Sequence, residues 1–398
     1  MEIEQIITKL EHFLKTDGYN GYDPYDGLNS PILRFLTFGL PGLRLYAQQF
    51  MKRSPINLRP ILGVRKTRNP KAMGLLAGAY LLRYKQTKNP IYLQNAQEIL
   101  DWLIVYSSPG FSGYCWGYNF DWQSAVFYLP AGTPTAVNTA CIANAFLDAY
   151  EITKDKNYLD VGRSSCDFIL NDLNRLSQFK QTGELHIPFC FSYSPIDNKC
   201  VHNANLLAAE LLARVYSFTK EEYLREFAYR SALYSVLSQN ADGSWFYGTG
   251  EKEGYIDNFH TGFVLVSLKN IMANLNYSDN NRFKQILLKG YEYYKKTFFE
   301  EDGCPRYYSN KKHPIDLHGS AQGIITCLKF RDLDFAAIKM AMKIANWAVE
   351  NMWDEKNGYF YFQKVEILAK HYLTIKIPYL RWPNVWMYYA LTLLNAGD

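Results

Sequence analysis

Residues 201–238, VHNANLLAAELLARVYSFTKEEYLREFAYRSALYSVLS, hold two consecutive helical patterns of opposite character. In the first, Ala204 to Ala213 is apolar on most sides, the mark of a helix enclosed by other helices. In the second, Tyr223 to Val236 keeps its charges on one face, as a helix between core and water does. One hairpin therefore offers an inner and an outer member.

The pair recurs along the chain. Inner members begin near Lys71, Thr135, His202, Asn258, Asp316 and Pro383, at spacings of 56 to 67 residues. Their outer partners fall near Ile91 to Ser107, Asn157 to Leu173, Glu221 to Ser238, Asn281 to Phe298 and Asp334 to Asn351. A sixth partner is expected from the N-terminal helices, near Glu2 to Thr16 or Leu43 to Lys52. Each hairpin needs its neighbours to cover its apolar face, and no linker or charge run breaks the series. The expectation is an all-α protein, an (α/α)6 toroid with aromatic loops or short β-hairpins at one end. Ring closure is a property of that fold and is not contained in the period itself. One domain over 1–398 is expected, with 1–60 supplying N-terminal helices and a lid-like segment.

Composition narrows the function. With 48% apolar and 20% charged residues, the 398-residue chain can bury a large core and is not a disordered one. Lys+Arg 43 against Asp+Glu 38 gives only +5, with no dense basic run, so no nucleic-acid partner is expected. Apolar runs such as Ala72 to Leu82 fall short of the roughly 18 residues of a membrane span, so no integral membrane segment is expected. The start, MEIEQIITKLEHFL, is acidic and amphipathic without a cleavage site, which points to a cytoplasmic protein. Seven scattered cysteines without a C-x-x-C pair read as buried free thiols, with no disulfide framework and no metal or cofactor. Gly248-Thr-Gly250-Glu-Lys-Glu-Gly254 has the wrong spacing for a dinucleotide fingerprint.

The 16% aromatic content is concentrated in the long connections that lead into the inner helices. Examples are Gly113 to Trp122, Ile187 to Tyr193 and Gly243 to Tyr247, whereas the returning turns are short and polar. In a ring of alternating helices all the long loops share one end, the natural place for a site. Polar residues recur where each loop enters its helix, and His202, His260 and His318 stand 58 residues apart. Helix capping is the plain alternative for each, above all for Asp257 and Asp316.

Together, rings and hydrogen-bonding edges suit a sugar, whose apolar faces stack on aromatics while its hydroxyls take paired donors and acceptors. The expected partner is thus an oligosaccharide or polysaccharide substrate. Trp116, Trp122 and Trp245 would form the stacking platform. Gln123, Tyr193, Asn203, Asn205, Tyr247, Gln322, Trp382 and Lys71 would complete the binding surface. Hydrolysis of a glycosidic bond needs two carboxylates, for which Asp257, Asp316 and Asp121 are the candidates. Proton transfer at a sugar carbon, as in an epimerase or a lyase, would instead use neutral His202, His260 or His318, with Arg381 or Lys71 neutralising a uronate carboxylate. A glycan-binding protein without turnover is the third alternative.

Several segments carry a family resemblance. Asp17-Gly18-Tyr19, Tyr22 to Leu28, Trp116 to Gln123, Val201 to Asn205, Asp257 to Gly262 and Arg381-Trp382 together resemble the VpsJ-like proteins of bacterial surface-polysaccharide clusters. More distantly the chain is similar to the six-hairpin glycosidase superfamily, and Asp242-Gly-Ser-Trp245 to toroid cyclases and uronate epimerases. The resemblance implies the toroid fold and a place in surface-polysaccharide (exopolysaccharide) biosynthesis, without supplying a reaction. The leading expectation is a carbohydrate-active, glycosidase-like enzyme that cleaves or remodels a glycan with Asp257, Asp316 and Asp121, and the epimerase or lyase is its nearest rival.

Overall fold

A computed structural model describes residues 2–124, 127–179, 187–276, 281–368 and 371–396. Among them the helices are α1 (Ile3–Thr16), α2 (Pro31–Leu36), α3 (Pro41–Arg53), α4 (Pro70–Thr87), α5 (Pro90–Val105), α6 (Ala136–Thr153) and α7 (Lys156–Asn171). They continue with α8 (His202–Thr219), α9 (Glu222–Leu237), α10 (Asn258–Asn274), α11 (Asn281–Phe298), α12 (Leu317–Lys329), α13 (Ala337–Met352) and α14 (Trp386–Asn395). The inner and outer members thus stand close to where the hydrophobic patterns place them.

Capping explains where the inner helices start. Asn69, Thr135, Asp257 and Asp316 each accept a backbone N–H of the first turn of α4, α6, α10 and α12. Lys88, Lys154 and Lys220, all in the left-handed region, close α4, α6 and α8 in the same way. The repeat is therefore built into backbone geometry as well as hydrophobicity.

The contacts divide the chain into two compact units, with the boundary inside α5. The first comprises Met1–Ile99, Tyr118–Thr133 and Phe299–Asp398. Within it α12 packs against α13 and α14, and α14 against α4 and α1. Helix α1 buries the stripe Ile6, Ile7, Leu10 and Leu14, so the chain start supplies the outer partner of α14. A small antiparallel sheet joins Ile315–Asp316 to Gln363–Leu368 and that strand to His371–Ile375, placing Asp316 opposite Gln363.

The second unit, Leu100–Gly117 and Pro134–Phe298, sets α6, α8 and α10 side by side, backed by α7, α9 and α11. From His202 to Ala213 every residue of α8 is buried, whereas α11 buries the spaced set Phe283, Leu287, Gly290, Tyr291, Tyr294 and Phe298. Enclosing a large apolar side chain contributes about 1.5–3 kcal/mol, so such stripes hold each outer helix to its inner neighbour.

Candidate active site

Each unit carries its own polar cluster at the starts of its inner helices. In the second unit the focus is the entry to α10. Asp257, extended at φ −124°, accepts the backbone N–H of His260 at 2.9 Å through Oδ1. Its Oδ2 accepts Nδ1–H of the same imidazole at 2.7 Å. One carboxylate therefore caps the helix and orients the ring. With Nδ1 donating to the carboxylate, Nε2 carries the lone pair.

His260 lines a small cleft together with His202, Asn203, Trp245, Tyr247 and Asp257. Tyr247 packs its ring 4.6 Å from the imidazole, and Tyr255 stacks behind Tyr247 at 4.9 Å. Trp245 is fixed by its indole N–H, which donates to the Ser235 carbonyl at 2.8 Å. His202 sets Nδ1 3.1 Å from Ser235 Oγ, and burial lowers its pKa to about 4, so it is neutral at pH 7. The buried Asn203 Oδ1 has no hydrogen-bond partner among the described residues, although the side chain lines the cleft. An unsatisfied buried acceptor of this kind suits a ligand hydroxyl.

In the first unit the focus is Asp316. Oδ1 accepts the His318 amide at 2.9 Å and the Trp382 indole N–H at 2.9 Å, while Oδ2 accepts Gln363 Nε2 at 2.5 Å. Burial raises the Asp316 pKa, opposed by Gln363, by the charge of Lys52, by the His318 amide and by Trp382. His318 lies flat on Trp382 at 4.1 Å and meets Trp386 edge-on at 4.8 Å. Lys71 Nζ sits 5.6 Å from the Trp386 ring. Tyr25 bridges Trp382 and Trp122, each at 6.1 Å, and accepts from Lys52 Nζ at 2.8 Å.

Arg381 has a different job from the uronate clamp expected of it. Its Nε and Nη2 donate to the two carboxylate oxygens of Asp23 at 2.6 and 2.9 Å, and both side chains are buried. Beside this pair Arg59 donates to Asp26 at 2.6 Å, to the Tyr379 hydroxyl and to the Asp23 carbonyl. Burial raises Asp26 to about 6 against the pull of Arg59. The Asp23-Pro-Tyr-Asp26 turn, inside the 1–60 stretch expected to supply a lid-like segment, is pinned by two buried arginines.

Several other expected ligand contacts are structural. Trp116 is wholly enclosed, stacked on Phe146 at 5.9 Å with its N–H donating to Leu103, so it offers no open face. Asn205 spends its amide on Phe191, Ser231 and Ser235. Tyr193 is buried, with its backbone tying Ala136 to Asp197. Gln123 and Gln322 are buried, and their amide N–H groups donate to Ser124 and Phe127 and to Thr326, whereas Gln123 Oε1 and Gln322 Oε1, like Asn203 Oδ1, have no partner among the described residues. Asp121 accepts from Ala131 N–H and Arg34, a loop-fixing role outside both clusters.

Sequence reading missed the direct pairing of His260 with Asp257, which it assigned to rival chemistries. The i, i+3 spacing at a helix start was the available signal. It also read the cysteines as buried free thiols, whereas Cys200 is only partly buried. Cys200 has a pKa lowered to about 7 by hydrogen bonding from Cys190, then Tyr234 and Thr249, against the effect of burial.

Comparison with known proteins adds the architecture. No protein-family profile matches the sequence, and a comparison with curated proteins gives no match. Solved structures do match over nearly the whole chain. Cellobiose 2-epimerase of Bacillus thermoamylovorans is 12% identical with a TM-score of 0.65, covering 99% of this chain and 98% of that one. The fold is the (α/α)6 toroid. A GH76 alpha-mannanase of Bacteroides thetaiotaomicron matches at 11% identity and TM-score 0.63, over 99% and 96% of the two chains. An unsaturated glucuronyl hydrolase specific for heparin matches at 12% and 0.64, over 99% and 95%. At such identities the likeness is one of fold, with six-hairpin glycosidase-like enzymes. These neighbours are an epimerase and two hydrolases, so the reaction must be argued from the side chains.

Proposed function

We propose that this protein is a carbohydrate-active enzyme that moves a proton at a sugar carbon, as an epimerase or lyase does. His260 is the base and Asp257 its positioning residue. The observation that carries this reading is the 2.7 Å bond from His260 Nδ1–H to Asp257 beside an aromatic-walled cleft. Tyr247 and Trp245 supply apolar walls, and Asn203 Oδ1 accepts a hydroxyl.

The step breaks a C–H bond next to a carbonyl or carboxylate. The proton goes to Nε2 and the electron pair to the carbonyl oxygen, while the Asp257 carboxylate stabilises the imidazolium that forms. A proton delivered to the opposite face, by a second acid or by His260 after the intermediate turns over, inverts the carbon; expelling a β-substituent, which leaves with the imidazolium proton, gives an unsaturated sugar. The resemblance to VpsJ-like proteins supports a place for this chemistry in surface-polysaccharide biosynthesis in the cytoplasm.

Glycosidic hydrolysis is the second reading, favoured by the raised pKa of Asp316, which suits a general acid. Three N–H donors already occupy that carboxylate, which weakens the case. A panel of oligosaccharides and uronates, resolved by anion-exchange chromatography, separates the readings. Epimers or unsaturated products support proton transfer, new reducing ends support hydrolysis, and saturable binding with no product refutes both.

A further inference from the structure

The stretch from α2 through α3 breaks the usual rule for a protein surface. Ten of the twenty-four exposed large apolar side chains among the described residues fall between Ile32 and Ile61. Phe35 and Phe38 are 73% and 72% exposed with their rings 6.0 Å apart. Helix α3 buries Ala47, Gln48 and Met51 on one side, yet its other side presents Leu43, Tyr46 and Phe50 at helical spacing. A surface helix normally turns polar residues to water, and contiguous apolar patches of this kind mark a binding face.

Backbone strain adds to the evidence. Phe38 adopts φ +47°, a left-handed conformation costly for a bulky residue, and is nonetheless displayed to solvent.

Charge decides what would cover the face. From Gly27 to Gln97 there is no Asp or Glu, while Arg34, Arg44, Lys52, Arg53, Arg65 and Lys66 are interspersed with the apolar residues. Arg53 continues the line of Tyr46 and Phe50 at the end of α3, and both it and Arg65 are exposed. Two copies meeting through this face would bring like charges together. Arg34 and Lys66 are paired with Asp121 and Asp17, which leaves Arg53 and Arg65 as exposed cations beside the apolar residues. Apolar wedges flanked by such cations match the interface of a bilayer with anionic headgroups. No helix among the described residues is long and apolar enough to cross a membrane, so the contact would lie in the plane of the surface.

We propose that the α2–α3 face binds the surface of an anionic lipid bilayer, with Phe35, Phe38, Tyr46 and Phe50 entering the headgroup region and Arg53 and Arg65 pairing with lipid phosphates. The test is flotation of the full chain with vesicles of phosphatidylcholine containing about 30% phosphatidylglycerol, against phosphatidylcholine alone. Binding is expected on the anionic vesicles and loss of most of it at high salt. Reversing Arg53→Glu and Arg65→Glu should weaken it by at least about tenfold, since each cation near such a surface contributes on that scale. Phe38→Gly relieves the left-handed backbone, so it should keep the fold while weakening binding severalfold. No binding by the folded protein, or binding unchanged in these variants, overturns the proposal. So does a concentration-dependent dimer that Phe38→Gly dissociates, which would give the face to a second copy.

Discussion

The Asp257 carboxylate holds the amide and the imidazole of His260 at once, at 2.9 and 2.7 Å, so helix capping and base orientation rest on the same two oxygens. This double use explains why a side chain with a plain structural role also bears on chemistry. It also lets the two roles be separated by mutation.

Asn caps a helix about as well as Asp but cannot stabilise an imidazolium. Asp257→Asn is therefore expected to melt close to wild type while turnover falls by about 10²–10⁴-fold, the range general-base catalysis supplies. Parallel thermal melts by circular dichroism and steady-state rates check it. A melting temperature unchanged with activity also unchanged would reduce Asp257 to a cap.

Burial of neutral His202 makes stability depend on pH. Its pKa falls from 6.5 to about 4 on folding, so between those values the unfolded chain binds a proton that the folded one does not. Stability is lost as pH drops through that window, by about 3 kcal/mol in all. Asp26, raised to about 6, acts in the opposite direction, gaining stability as pH falls below 6. Urea melts of wild type and His202→Gln at matched pH isolate the histidine: their difference should narrow from pH 7 to pH 4.

The Asp23–Arg381 pair should show the asymmetry of buried ions. Asp23→Leu alone strands a guanidinium and is expected to cost about 3–5 kcal/mol. Adding Arg381→Met should restore much of that loss, a non-additivity that a double-mutant cycle in urea measures directly.

Gly290 on α11 lets Trp245 reach the wall of the cleft. A Cβ there would lie 2.6 Å from the indole ring, so Gly290→Ala must displace Trp245 or α11. A loss of about 1–3 kcal/mol is expected, with a raised KM. A substrate panel measured at 25 °C, well below the melting transition, separates the two effects.

The inner helices were legible because burial on all sides leaves a nearly unbroken apolar run, as in Ala204 to Ala213. Their starts were legible because Asp257 and Asp316 are good caps. The fate of Arg381 was not, since its partner Asp23 stands 358 residues away and only the fold, with Leu380 N–H bonded to the Tyr22 carbonyl, brings them together. Trp116 was misplaced for a related reason: flanking glycines in a loop say nothing about whether helices close over it. The paired role of Asp257 and His260 lay in the sequence as a three-residue spacing, but capping alone accounts for that spacing until the imidazole is seen turned onto the second oxygen. Nor does a hydrophobic pattern show that α3 is apolar on both faces, because only packing tells which face is covered.

The central claim, that His260 takes a proton from carbon, is tested most directly by exchange. The protein is incubated with candidate sugars in D₂O, beside His260→Gln, and ring carbons are read by NMR and mass spectrometry. Deuterium at a ring carbon, or an unsaturated uronate, in wild type and absent in His260→Gln is the predicted result. Cleavage that leaves every C–H undeuterated, or exchange that persists in the variant, would contradict it.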